Sequence, residues 1–572
     1  MSEQTPPHRA RPLRVGNASG FYGDRFAAMR EMLTGGPLDV LTGDYLAELT
    51  MLILGRDRLK DPERGYATTF LRQLEENLAL ARERGVRIVT NAGGLNPAGL
   101  ADAIRELAGR VGVELSVAHV AGDDLTPRAA ELGLGEPLTA NAYLGAWGIV
   151  ECLNTGADVV VTGRVTDASL LVGPAAAHFG WSRDDYDALA GAVAAGHVIE
   201  CGAQATGGNY AFFREHPIDH PGFPIAEIHP DGTSVITKHE GTGGAVTTGT
   251  VTAQLVYEVA GPRYPGPDVT ARFDTVELAA DGRDRVRISG VTGEPPPPDL
   301  KVGMNSLDGH RNEMTFVLTG LDIEAKAELV RSQLENALRD RPPAELRWEL
   351  ARTDHADADT EQRASALLRC VAFDPDADVV GRAFSGAAVE LALASYPGFH
   401  PTAPPGRARP YGVYTAAYVS ASEVAHTVVL PDRSQRHVPA PDETVPLAEL
   451  DEPTLPQPLP AGPTQRVPLG TVAGARSGDK GGSANLGVWV RSAEAYRWLA
   501  HTLTVGLLQS LLPETAQLPV YRYAFPNLLA VNFVIDGLLG EGVGSQARFD
   551  PQAKALGEWL RARYVDVPEV LL

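Results

Sequence analysis

Two carboxylates stand four residues apart in TGDYLAEL (42–49), Asp44 and Glu48. On a helix they would share a face, a spacing suited to acid–base work or to a divalent cation. TGRVTDAS (162–169) places Arg164 and Asp167 in one turn. That arginine could grip a carboxylate or phosphate, or the two could pair as a clasp. VIECGAQATGGN (198–209) follows His197 and contains Glu200, Cys201, Gly202, Gly207 and Gly208. His197 and Glu200, three apart, would meet on a helix and could ligate a metal; the other reading is a satisfied structural histidine. Cys201 could be a nucleophile or a buried, inert thiol. Fixed glycines cost backbone entropy, so their density here implies a backbone brought close to a ligand or to another chain. KHEGTGGAV (238–246) repeats the T-G-G pattern behind a second acid, Glu240, and adds Lys238 and Thr242.

Three further loops are rich in amide hydrogens. GNASGFYGD (16–24) holds Asn17, Ser19 and Asp24 but is not G-x-G-x-x-G, so a nicotinamide cofactor gains little support. NAGGLNP (91–97) offers Asn91, Gly93, Gly94 and Asn96 ahead of a helix, a cradle for an anion or a carbonyl. ARSGDKGGSANLG (475–487) sets Lys480 among glycines; it could contact an anionic group, but it is not a nucleotide P-loop. Only six of the chain's 50 basic residues are lysine, and Lys238 and Lys480 each flank a glycine-rich loop. An ammonium is not interchangeable with a guanidinium, so these two are candidates for retention by chemistry.

The elements that must position these groups alternate between strand and helix over residues 12–170. LRVGNASG, LDVLTGD, VRIVTNAGG, VELSVAHVAG and ADVVVTGRVTDAS each run from an apolar strand into a polar turn. TTFLRQLEENLALARERG and PAGLADAIRELAGRVG read as amphipathic helices, the first stopped by Gly85 and the second opened by Pro97. This rhythm predicts a Rossmann-like, mostly parallel sheet with its ligand beyond the carboxyl ends of the strands. Residues 225–437 read as a mixed region rich in strands. A Pro-rich linker spans 438–465, and a smaller domain occupies 466–572. The principal domain is therefore drawn as 1–437, with its core at 12–224.

The length of 572 residues implies several domains, and the composition is that of a globular protein. A net charge of −22 argues against nucleic acid as a partner, while leaving room for a small anionic ligand. No apolar run reaches membrane-spanning length, and MSEQTPPHRARPLR lacks the apolar segment of a signal peptide. Three scattered cysteines, Cys152, Cys201 and Cys370, fit a reducing cytoplasm and contain no C-x-x-C pair.

In order along the chain, GFYGD, LTGDYLAELTM, NAGGLNP, ADVVVTGRVTDASL, AGHVIECGAQATGGN, KHEGTGGAV, YPGFH, ARSGDKGGSANLG and FPNLLAVNF resemble the acyclic terpene utilisation (AtuA) family. Gly482 stands where the resemblance would place a second Asp. The resemblance implies a ferredoxin-like C-terminal domain and work on a branched 3-hydroxy or unsaturated acyl-CoA thioester, by lyase or hydratase/dehydratase chemistry. CoA would enter as part of the substrate; no other cofactor is indicated, and a divalent metal is left open. Asp44, Asp167 and Glu200 are then the expected proton-transfer groups, with Glu240 and Cys201 in reserve. The T-G-G amides would join an oxyanion site. Asn91, Gly93, Gly94, Arg164 and Lys238 would hold anionic or carbonyl groups. The alternatives are a non-catalytic scaffold of an acyl-CoA pathway and a biosynthetic dehydratase or hydrolase acting on a related acid. A homo-oligomer is expected.

Overall fold

The computed structural model describes residues 11–572. The reading of the N-terminal leader falls mostly outside them. Contacts divide the chain into two units. The first comprises residues up to Asn305 with Tyr414–Val543 and Gln552–Leu572; the second is Ser306–Val413 with Gly544–Pro551.

The first unit contains an eleven-stranded sheet. Its centre comes from the N-terminal region: β1 (Leu13–Asn17), β2 (Val40–Gly43), β3 (Arg87–Thr90), β4 (Val117–Ala121) and, after β5 (Thr139–Ala142) in a different sheet, β6 (Val159–Val161). The order β1-β2-β3-β6-β4 is parallel throughout. The three valines of β6 are fully buried, as a strand covered on both faces requires. Outside this centre the sheet is antiparallel. The hairpin β7 (Pro224–Ile228) and β8 (Ser234–Lys238) adds beside β1 and is extended by Val286–Ser289 and Glu277–Ala280. Thr427–Val429 and Gln435–His437 add beside β4. The expected mostly parallel sheet is thus a parallel centre inside a mixed sheet. Some of the strands assigned to a separate mixed region extend its edges, while the others form sheets of their own.

Local signals place the helices. Thr68–Arg84 ends at Gly85, whose φ of 66° is left-handed. Pro97–Val111 begins with Asn96, whose side chain accepts from the Gly99 amide, and has Pro97 at its first position. Tyr186–Ile199 is buried along almost its whole length. Its alanines and glycines permit close approach: a Cβ at Gly191 would lie 2.3 Å from the Gly232 carbonyl oxygen.

Towards the C-terminus of the same unit, strands Ala473–Lys480, Ser483–Val490, Ala530–Ile535 and Val520–Phe525 form an antiparallel sheet in that order. Helices Ala493–Thr502, Val505–Leu511 and Leu556–Ala562 accompany it. Two fully buried asparagines tie this sheet to the chain at 258–260. The Asn485 side chain accepts from the Glu258 amide at 2.6 Å and donates to the Val259 carbonyl at 2.9 Å. Asn532 donates to the Val259 and Ala260 carbonyls. Buried amides must be satisfied, so these bonds fix Glu258, a non-glycine residue at φ 57°.

The second unit is a smaller α/β body. Strands Glu345–Ala351 and Ser365–Asp374 pair with the later part of Asp299–Thr319, and helix Ile323–Ala337 packs its apolar side into the same core.

Candidate active site

A cavity of about 1560 Å³ lies within the first unit. Residues following strand ends reach it from several directions: Asp44 after β2, Arg164 and Asp167 after β6, and Lys480 from the C-terminal sheet. The aliphatic part of its wall includes Leu46, Leu49, Pro265, Leu300 and Val520.

Asp44 directly follows strand β2 rather than sitting on a helix face, because the helix begins only at Glu48. Both still line the cavity. The Asn91 side chain donates to the Asp44 carboxylate at 2.6 Å and accepts from the Tyr45 amide. Asn91 therefore sets the orientation of Asp44. Burial, followed by repulsion from Asp167, holds the Asp44 proton well above the usual carboxylate range, although Arg164 and Asn91 oppose this.

Arg164 is almost fully buried. Its guanidinium lies 3.1 Å from Asp167, donates to the Leu46 carbonyl and stacks on Tyr143 at 4.2 Å. Its amide donates to Asp123, a buried carboxyl pushed up to about 6 by burial and also held by Asn141. Gly163 is required beside that carboxyl, since a Cβ there would lie 2.4 Å from it. Burial also raises Asp167, against the pull of Arg164.

His197 and Glu200 meet at the end of helix Tyr186–Ile199. Nε2 of His197 lies 3.0 Å from the Tyr257 carbonyl, which can only accept, so Nε2 carries the proton. Burial, then Lys480, depresses this histidine to about 4, so at neutral pH it is uncharged and Nδ1 bears a lone pair. Nδ1 lies 3.1 Å from Glu200 Oε1. Burial and the neighbouring Asp167 and Glu258 hold Glu200 protonated well above its ordinary range. The only hydrogen bond these states allow runs from the Glu200 carboxylic acid to His197. The contact lies off the line of a good hydrogen bond: neither Nδ1 of His197 nor Oε2 of Glu200 has a hydrogen-bond partner. Asn17 donates to the carbonyls of Ile199 and Glu200 and anchors this corner from β1.

The glycines of VIECGAQATGGN pack against neighbouring chain. Gly202 (φ 60°) sits beside Phe223 and Asp24, and a Cβ on facing Gly20 would lie 2.6 Å from the Cys201 backbone. The Gly207 and Gly208 amides donate to the carbonyls of Gln204 and Ala203, so these two are not free to form an oxyanion site. Cys201 lines the cavity, but burial and Glu200 push its thiol well up, which disfavours a nucleophilic role.

Most of the other expected groups lie away from the cavity wall. Lys238 donates to the Thr242 carbonyl at 2.7 Å and pairs with Asp284, which joins a loop to β8. Thr242 is turned to the His239 carbonyl, and Glu240 is exposed. The Gly94 amide donates to the Asn91 carbonyl, Gly93 packs against Thr162, and Asn96 caps its helix. Ser19 donates to the Phe21 carbonyl, while Asp24 lines the cavity edge and accepts from the Gly20 amide.

The structure adds groups the sequence reading did not single out: Tyr143, Tyr257, Glu258, Lys301, Tyr414 and Lys554. Lys301 lies over the rings of Tyr143 and Tyr414, near Glu48. Lys554 bridges Asp479 and Glu258. The scarcity of lysine was the signal available, because Lys301, Lys480 and Lys554 are half of all the lysines. Among the described residues no group of three or more His, Cys, Asp or Glu is arranged to hold a metal ion, and no helix is long and apolar enough to cross a membrane.

Fold and site define a mixed α/β protein whose sheet ends and C-terminal sheet surround one cavity rich in buried ionisable groups. The chain belongs to the acyclic terpene utilisation family: the model for family protein AtuA matches residues 13–430, and the AtuA ferredoxin-like domain matches residues 467–566. Both matches agree with the resemblance drawn from the motifs. Membership suggests a role in acyclic terpene utilisation. Neither a curated protein nor a solved structure matches the chain.

Proposed function

We propose that the chain is an enzyme acting on a branched 3-hydroxy or unsaturated acyl-CoA thioester, by lyase or hydratase/dehydratase chemistry. The observation that carries this reading is the meeting of Asp44, Arg164, Asp167 and Glu200 at one cavity. A scaffold subunit has no need for such an assembly, because burying three carboxyls around one guanidinium is costly. Catalysis does need it, since proton transfer at neutral pH calls for acids whose protons are held near or above that pH.

Each group has a role in this reading. Glu200, backed by the lone pair of His197, delivers or accepts a proton at the substrate carbon or hydroxyl. Asp44, oriented by Asn91, serves as the second acid. Arg164 favours the ionised form of Asp167 and, with Lys301, opposes negative charge building on a thioester oxygen. The aliphatic wall accommodates a branched chain. The cavity exceeds the roughly 300–1,000 Å³ of ordinary small-ligand pockets, in keeping with a large ester. The cavity supports a catalytic role equally for a related free acid, and that alternative separates from the thioester reading by assay.

The test is incubation of the full-length protein with branched 3-hydroxyacyl-CoA and 2-enoyl-CoA esters, followed by mass-resolved chromatography. Gain or loss of water marks hydratase/dehydratase chemistry, and shortened acyl products mark a lyase. Turnover should fall by about 10²–10⁴-fold in Glu200→Gln. Conversion of the free acids alone would replace the thioester reading with the biosynthetic one.

A further inference from the structure

Lys480 differs from the other lysines of the cavity, Lys301 and Lys554. Arg164, Arg263, Lys301 and Lys554 each have a carboxylate within ion-pair distance. Lys480 has none among the described ion pairs. Its Nζ donates to one neutral group, the Glu258 carbonyl, at 2.8 Å. An ammonium carries three donors, so two directions stay unused, and the side chain is reachable through the cavity. The turn that presents it is fixed on both sides. Gly481 has a φ of 61°, and a Cβ at Gly482 would lie 2.1 Å from the Gly540 carbonyl oxygen. The acceptor is fixed as well, because Asn485 and Asn532 pin residues 258–260. The amine is therefore held in place without being neutralised.

We propose that Lys480 is a nucleophilic amine that condenses with the carbonyl of a ketone or aldehyde ligand in the cavity. The amine nitrogen adds to the carbonyl carbon, and the C–O bond then breaks. The oxygen leaves as water with one proton from the amine and one from a carboxylic acid of the site. A protonated imine remains on Lys480, and the acid is left as carboxylate. Asp44 and Glu200 are the acids that hold a proton for this step. The imine then draws electrons from the adjacent carbon, which eases proton removal or C–C cleavage there. Desolvation by the cavity wall, then the nearby charge of Lys301, lowers the affinity of Lys480 for its proton. Glu258, Glu48 and Glu200 also face this amine and oppose that shift. The inference stands apart from the thioester reading, since a thioester carbonyl does not form such an imine.

The experiment is reductive trapping. Full-length protein is incubated at pH 7 with a branched enal, a methyl ketone or a β-keto acid, in the presence of cyanoborohydride. Intact mass and peptide mapping then locate the adduct. Lys480 should be the first and most heavily labelled of the six lysines, because the carbonyl ligand is bound beside it and its proton is held less tightly. That adduct should vanish in Lys480→Arg and Lys480→Met, with circular dichroism and melting temperature unchanged. Labelling spread over surface lysines such as Lys60 and Lys326, or none at Lys480, overturns the proposal. Acyl-CoA binding is measured on the same preparation. Binding without trapping removes the imine and leaves the thioester reading; trapping without binding does the reverse.

Discussion

Nδ1 of His197 lies 3.1 Å from Oε1 of Glu200, with Nε2 of the same ring committed to the Tyr257 carbonyl. A neutral imidazole thus offers its lone pair to a carboxylic acid that burial keeps protonated. The two atoms face each other without a formed hydrogen bond, so the proton stays on the Glu200 carboxyl at the cavity wall.

Glu200→Gln keeps the shape and removes the transferable proton. Turnover should fall by about 10²–10⁴-fold, the usual share of general acid–base catalysis, while acyl-CoA affinity changes little. Stability should move the other way. The folded-state pKa of Glu200 is raised, so the native state binds its proton more tightly than the unfolded chain does. Its contribution is fully present below the unfolded pKa and is lost as pH rises through the folded value. The variant should therefore melt higher than wild type, by a margin that widens toward alkaline pH. Thermal melts across pH check this.

Arg164→Ala leaves Asp167 without its guanidinium and the Leu46 carbonyl without its donor. Removing one partner of a buried pair costs about 3–5 kcal/mol, so denaturant melts should show a loss of that order. Arg164→Ala plus Asp167→Ala should recover part of it.

Lys238→Met separates the two lysines that the sequence set side by side. Lys238 is buried against Asp284 and the Thr242 carbonyl and does not line the cavity. Ligand affinity should stay within about twofold, while stability falls by about 1–3 kcal/mol from the donors and acceptors left unsatisfied. Calorimetry and denaturant melts distinguish these effects.

Cys201 should behave as an inert thiol. Its proton is held well up by burial and by Glu200. Cys201→Ser should retain turnover, and alkylation by iodoacetamide at pH 7 should be slow. Fast alkylation with matching loss of activity would reinstate the nucleophile.

Gly20→Ala tests why the chain is glycine-rich where two loops cross. The added Cβ would meet the Cys201 backbone at 2.6 Å, and backbone cannot swing aside as a flexible side chain can. A cost of about 1–3 kcal/mol is expected, with turnover impaired through displacement of Glu200.

Much of this was readable from residue types. Apolar runs ending in Gly, Asn or Asp mark the parallel strands, and Gly85, Asn96 and Pro97 mark helix ends. Arg164 and Asp167 were legible because charged groups in a turn after a buried strand have few other uses, and Glu200 because it ends a helix at a glycine-rich turn. Three features were not legible. The antiparallel strands that join the sheet beside β1 and β4 come from 224–289 and 427–437, and no local pattern states which edge a distant hairpin will take. Lys238 resembled Lys480 in its glycine-rich setting, and only the fold shows that Asp284 neutralises one of them. Glu258 and Lys554 reach the cavity through the contacts of Asn485 and Asn532, which a linear pattern does not display.

The central claim, that this cavity takes an acyl-CoA thioester, is tested most directly by calorimetric titration of the folded, full-length protein. The titrants are a panel of branched acyl-CoA esters and the matching free acids. The account predicts saturable binding of at least one ester, lost on placing a bulky side chain in the cavity with Leu46→Trp. No heat of binding from any ester, with the protein folded by circular dichroism, would contradict it.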